Sequence, residues 1–360
     1  MSAAVPQSGD PLVWVRRSVL AVVVAFFALR MMMPEWFQGN DTLVANLVAI
    51  GVVFAAFILA SEIGDAFRLP RRWMVVSVPL LWFVMFFLIP FVVLGRISLS
   101  EALIARPPYS PLWETDANGN LQIIASLENY RFILGDSLYR NAYISSIKVA
   151  AISTVFALLL GYPIAYYIAR SPEPRRSVLL LLVVLPFWTS FLLRVYAWIG
   201  FLRRDGVINN ILTWLGIIDE PLVMMQTDFA VYIGIVYTYL PFMILPLYAT
   251  LVKLDDALLE AASDLGARPA VIFLTVTLPL SLPGIIAGSM LVFIPAIGEY
   301  VIPALLGGPD TLMIGRTLWD EFFSARDWPV ASAVAIIMLL LVVVPMMWLQ
   351  SVQNRQGEGQ

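Results

Sequence analysis

The 360-residue chain contains no cysteine and no histidine. Without cysteine there is no disulfide or thiolate metal site, and compartment cannot be read from redox chemistry. Without histidine the usual general base and the usual metal ligand are gone. Charge is scarce as well. Asp, Glu, Lys and Arg make up 13% of the residues, against about 25% in an ordinary soluble domain. No G-x-x-x-x-G-K-[ST] stretch occurs, so any ATP has to be handled by another chain. The residues offer little for enzyme chemistry, and no cofactor or metal is expected in this polypeptide.

What is abundant is apolar. Hydrophobic residues reach 60% and the mean hydropathy is +0.85, which places the chain in a lipid bilayer. The expected fold class is an all-α polytopic membrane protein. Residues 1–11 are polar and expected to be disordered. Leu12–Met33, entered through Arg16-Arg17, is a first apolar run. It is too long and lacks the small-residue cleavage site of a signal peptide, so a retained span is expected. A second run, Leu43–Ala60, follows a polar link, and a third, Trp73–Leu94, follows RLPRR (68–72). Residues 96–140 form a long polar segment with Pro107, Pro108, Pro111 and an Asn118-Gly119 turn. Further spans are expected at 141–169, 177–201, 229–251, 282–305 and 331–350, eight in all.

Orientation follows from the short loops. RLPRR and RSPEPRR (170–176) hold six arginines between them, and short basic loops stay in the cytoplasm. Eight spans with the N-terminus inside put both loops on that side, together with residues 254–279 and the C-terminus. The outer loops are the more acidic ones. That balance suits a cationic solute or a basic docking surface, although solvated loops are often acidic for no such reason.

One segment between two apolar runs is short, charged at its start and amphipathic: Leu254–Pro279. Asp255 or Asp256 can cap a helix start. Leu258, Ala261, Ala262 and Leu265 then recur at helical spacing on one face. Gly266 supplies a stop. About ten residues of helix cover roughly 15 Å, too little to cross a bilayer. Two readings are open for such a helix, a docking element with small residues admitting a partner, or an interfacial helix lying on the lipid.

Glu260-Ala261-Ala262, then Gly266, then Val276, Leu278 and Pro279 resemble the EAA loop in the permease subunits of ABC importers. Val276 stands where that family usually has Ile. Three further stretches sharpen the likeness, at 185–210, 231–251 and 288–336. They resemble the first permease subunit of putrescine/spermidine importers, closest to the putrescine branch, over roughly residues 73–350. The resemblance implies a type I permease core of six helices at 71–350. An added N-terminal tail and two-helix hairpin would occupy 1–70, and a disordered cytoplasmic tail 351–360. It also implies a short cytoplasmic coupling helix that sits in a groove of the ATPase. The implied partners are a second permease subunit, two ATPase subunits, a periplasmic polyamine-binding protein and the lipid bilayer, with no nucleic acid. ATP would be bound by the ATPase subunits, and the inner membrane of a Gram-negative bacterium would be the location.

A polyamine is a chain of ammonium groups joined by methylenes, so its path calls for carboxylates or carbonyls and for aromatic faces. Glu299 is the acidic residue set deep in an apolar run, and an intramembrane carboxylate is costly enough to be a functional candidate. The plain alternative is a pair with Arg194, or a place at the outer interface. Pro283, Pro295, Gly298 and Pro303 interrupt the segment, and freed carbonyls there could face a cavity. Trp188, Tyr196, Trp198 and Tyr239 are the aromatic candidates for the path; Trp and Tyr also gather at membrane interfaces in any polytopic protein. Gly307-Gly308-Pro309-Asp310 is expected to open an outer loop containing Asp320, Glu321 and Trp328. The same architecture serves spermidine, sulfate and other solutes. An ion-coupled carrier would instead show intramembrane acids in several spans and an internal repeat, and a non-transporting scaffold would have no use for the interrupted segment.

Overall fold

A computed structural model describes Val76 and residues 79–115, 121–309 and 311–357. The expected hairpin at 1–70 lies outside the described residues. The chain divides into two compact units, Met1–Val93 and Leu94–Gln360.

The first described helix, α1 (Pro79–Ser98), is apolar up to Arg96 in its last turn and contains a wider turn at Val84–Leu88. Trp82 stacks on Phe86, and Phe83 on Phe87, one turn apart along its surface. The polar segment after it is pinned by Asn129, whose amide donates to the carbonyls of Ser98 and Ser100. Within that segment β1 (Trp113–Thr115) and β2 (Leu121–Ile123) pair antiparallel. The expected Asn118-Gly119 turn falls between them, outside the described residues.

A short helix, α2 (Glu128–Gly135), leads into α3 (Ser137–Ala169), started by Asp136, whose carboxylate accepts from the Leu138 amide. Thirty-three residues make about 50 Å of helix, longer than the ~30 Å hydrocarbon core. The expected span at 177–201 is not one straight helix. It is α4 (Glu173–Val184), a 3-10 turn at Leu185–Trp188, then α5 (Phe191–Leu202) and α6 (Val207–Trp214), with the two halves bent by 91°. Pro186 lacks a backbone donor, and Thr189 and Ser190 are extended.

Then come α7 (Asp228–Leu251), α8 (Asp256–Asp264) and α9 (Pro269–Ile297). The apolar run expected at 282–305 differs in register. Its helix begins at Pro269 and breaks at Gly298, and Val301–Leu306 forms a separate α10. A widened turn at Phe273–Thr277 lets Pro279, which has no N–H, enter the helix without a clash.

The segment expected as an outer loop after Gly307 carries a packed helix. Met313 and Ile314 are fully buried, and α11 (Ile314–Trp319) is pinned to α3 where the Ile314 amide donates to Ser146 Oγ at 2.8 Å. Asp310 lies outside the described residues. The last helix, α12 (Trp328–Gly357), runs through residues 351–357, where the sequence suggested a disordered tail.

The centre of the second unit is the triple contact of α3, α7 and α9. Met243 of α7 is wedged between two glycines there. A Cβ at Gly161 would stand 3.0 Å from its Cγ, and one at Gly288 would stand 2.9 Å from its Sδ. Lipid gives helices no hydrophobic reason to associate, so this close backbone approach supplies the packing. Among the described residues, five helices are long and apolar enough to cross a membrane, six when the bent pair is taken as one span.

Candidate functional site

Within the segment from Leu254 to Pro279, Asp256–Asp264 folds as the short exposed helix α8, and Pro269 onward belongs to α9. Asp255 caps α8, its carboxylate accepting from the Ala257 amide at 3.0 Å. Gly266 ends it with φ +79°, a left-handed conformation that favours glycine. No residue of α8 is buried. Leu258 is 49% exposed and Leu265 is 88% exposed. Glu260 and Ala261 are exposed beside them, with Ala262 half-buried. The apolar face is therefore largely uncovered by this chain's described residues, with Ala262 alone half-buried on it. Leu278 and Pro279 stand apart from the helix, inside α9.

Glu299 is buried, 8% exposed, at the break between α9 and α10. Its Oε2 accepts from the Tyr239 hydroxyl at 2.5 Å. Its Oε1 accepts from the backbone amides of Val301 and Ile302, at 3.1 and 3.4 Å. The carboxylate thus caps the start of α10, where free amides and the helix dipole favour negative charge. The sequence-level alternative of a pair with Arg194 is not what the structure contains. Arg194 forms no ion pair among the described residues. Its guanidinium lies over the rings of Phe187 and Phe191, at 5.3 and 5.9 Å.

The break does not open its carbonyls to a cavity. A Cβ at Gly315 would meet the Gly298 and Glu299 oxygens at 2.4 and 2.7 Å, so α11 packs directly on them.

Of the aromatic candidates, Tyr239 joins Glu299 directly and continues into a cluster. Its ring lies 6.1 Å from Phe242, which lies 5.2 Å from Phe187, under Arg194. Trp198 belongs to another wall. It meets Tyr237 edge-on at 5.4 Å and lines an apolar groove of about 880 Å³ with Phe156, Leu160 and Tyr232. Trp188 and Tyr196, 78% and 58% exposed, enter no aromatic pair among the described residues. Sequence reasoning missed Phe187 and Phe242, although each directly follows a proline within an apolar run, Pro186 at the bend and Pro241 inside α7.

Comparison with known proteins agrees with this architecture. Residues 47–356 match the family described as binding-protein-dependent transport system inner membrane component. The spermidine/putrescine transport system permease protein PotB of Escherichia coli strain K12 is 43% identical over 222 residues, covering 62% of this chain and 80% of that protein. Its Haemophilus influenzae counterpart is 40% identical over 267 residues, covering 73% and 88%. A solved bacterial alginate ABC transporter, in complex with an alginate pentasaccharide-bound periplasmic protein, superposes with a TM-score of 0.59 at 17% identity. It covers 79% of this chain and 95% of that one, a likeness of fold. The chain is a multi-pass inner-membrane permease that belongs to the binding-protein-dependent transport system inner membrane components of ABC importers.

Proposed function

We propose that this chain forms half of the translocation path of an ATP-driven polyamine importer, with putrescine as the preferred solute. Its identity of 40–43% to spermidine/putrescine permeases supports the solute class. The observation that carries the coupling half of the reading is α8, a capped helix ended by Gly266 with its apolar face largely uncovered. That face, with Glu260, Ala261 and Ala262, docks into a groove of the ATPase, and Leu278 and Pro279 fix the return into the span. A second permease, two ATPase subunits that bind the ATP, and a periplasmic binding protein complete the machine. Both termini face the cytoplasm.

On the solute side, Glu299 supplies negative charge and Tyr239 is the donor that an ammonium would replace. Trp198 offers a face to the methylenes along the apolar groove, and Trp188 and Tyr196 present exposed rings. Uptake of radiolabelled putrescine into proteoliposomes holding the full complex tests the reading. Putrescine and spermidine should be taken up in that order of preference, with sulfate excluded. Sulfate uptake, or a spermidine preference, would remove the corresponding part of the proposal.

A further inference from the structure

Helix α8 is poorly braced against the rest of the chain. It buries no residue, and Asp255 and Leu258 line an opening of about 450 Å³ between it, the end of α7 and the middle of α9 at Leu280 and Pro283. It touches the beginning of α9. Among the described residues, one side-chain hydrogen bond ties it to another element: Arg170 Nη1 donates to Asp256 Oδ1. Arg170 is the residue that closes α3, and its guanidinium lies over the Tyr166 ring at 5.6 Å. The Arg170 side chain is 23% exposed, and that of Asp256 is 73% exposed. The loop after α3 is itself rigidly tied. Arg176 donates to the Ala169 and Ser171 carbonyls and to Glu173.

A displaced α8 could therefore act on the bundle by two routes, its covalent ends and this ion pair. The covalent ends lead to α7 and α9. The ion pair leads to α3, the third member of the central contact. We infer that Arg170 is a positioning residue for coupling, a strut that makes α3 move with the first turn of α8. The inference rests on the reading of α8 as the ATPase dock. The cation sits at the C-terminal end of α3 and the acid in the first turn of α8, so each charge also complements its own helix dipole. That arrangement fixes which end of each helix meets the other.

The test uses the whole complex in proteoliposomes, with radiolabelled putrescine, and reads solute taken up per ATP hydrolysed. Arg170→Gln and Asp256→Asn should each lower that ratio about five-fold, the size a part-exposed ion pair supplies. ATPase subunits should remain bound and ATP should still be hydrolysed. The reversed pair, Arg170→Asp with Asp256→Arg, should partly restore the ratio, above either single variant but below the original, because each reversed charge then opposes its own helix dipole. Asp256→Asn keeps an oxygen that can accept from the largely buried Arg170 guanidinium, so it removes the charge while sparing the hydrogen bond. An unchanged ratio in both single variants overturns the inference, and so does a lowered ratio that the reversed pair fails to raise. Gly266→Trp is run alongside. A normal ratio there would sink the docking role of α8 itself, a failure separable from that of the strut.

Discussion

The Glu299 carboxylate is held from two sides, by the Tyr239 hydroxyl and by the amides that open α10. Glu299→Gln keeps an acceptor but removes the charge, which should weaken contact with an ammonium by about 1.5–3 kcal/mol. Polyamine uptake should fall roughly ten-fold or more, and normal uptake would take Glu299 off the path. Tyr239→Phe separates the two roles of this acid. It leaves one oxygen of a buried carboxylate unpaired, at a cost of about 1–3 kcal/mol, readable as a lower melting temperature in detergent. If Glu299 also meets solute, removing the competing donor should lower KM for putrescine; an unchanged KM leaves Glu299 as a cap alone. Because Arg194 sits on Phe187 and Phe191, the double variant Arg194→Gln with Glu299→Gln should show additive losses. Restored uptake in that double variant would contradict the geometry described here.

Among the elements, α8 was the most legible in the sequence. Its cap, its periodic face and the stop at Gly266 are all local signals, and the structure bears out a helix over Asp256–Asp264. The partition of the apolar runs was less legible. Hydropathy marks where a chain is greasy, not where it turns, so the 91° bend at 185–190 stayed hidden inside a continuous run, whereas Pro295, Gly298 and Pro303 did signal the break at Gly298. The fold-back of α11 was hidden for another reason. It depends on Ser146 meeting Ile314 across 168 residues and on Gly315 fitting under two carbonyls, and neither contact leaves a local pattern. The same distinction separates two substitutions at Gly266. A Cβ there meets nothing within 4 Å, so both Gly266→Ala and Gly266→Trp should cost about 1–2 kcal/mol of left-handed backbone strain. If an ATPase groove covers the site, Trp should abolish uptake while Ala retains most of it. Equal uptake by the two variants would leave the groove without support.

At the scale of the whole molecule, the proposed coupling requires the arginine-bearing loop 170–176 and the α8 region to lie on the cytoplasmic side. Reporters fused after Pro174 or Ala267 should give a cytoplasmic signal, and reporters after Tyr109 or Asp219 a periplasmic one. A periplasmic signal at Ala267 would make an ATPase dock there impossible. The central claim, that α8 is the surface the ATPase holds, can be measured directly because the native chain has no thiol. Ala262→Cys therefore creates a single attachment point for a photoactivatable maleimide crosslinker, and Leu222→Cys, in the loop before α7, provides the control. On illumination of the purified complex, the account predicts an adduct with the ATPase subunit from position 262 and none from position 222. No ATPase adduct at 262, or equal adducts at both positions, would contradict it.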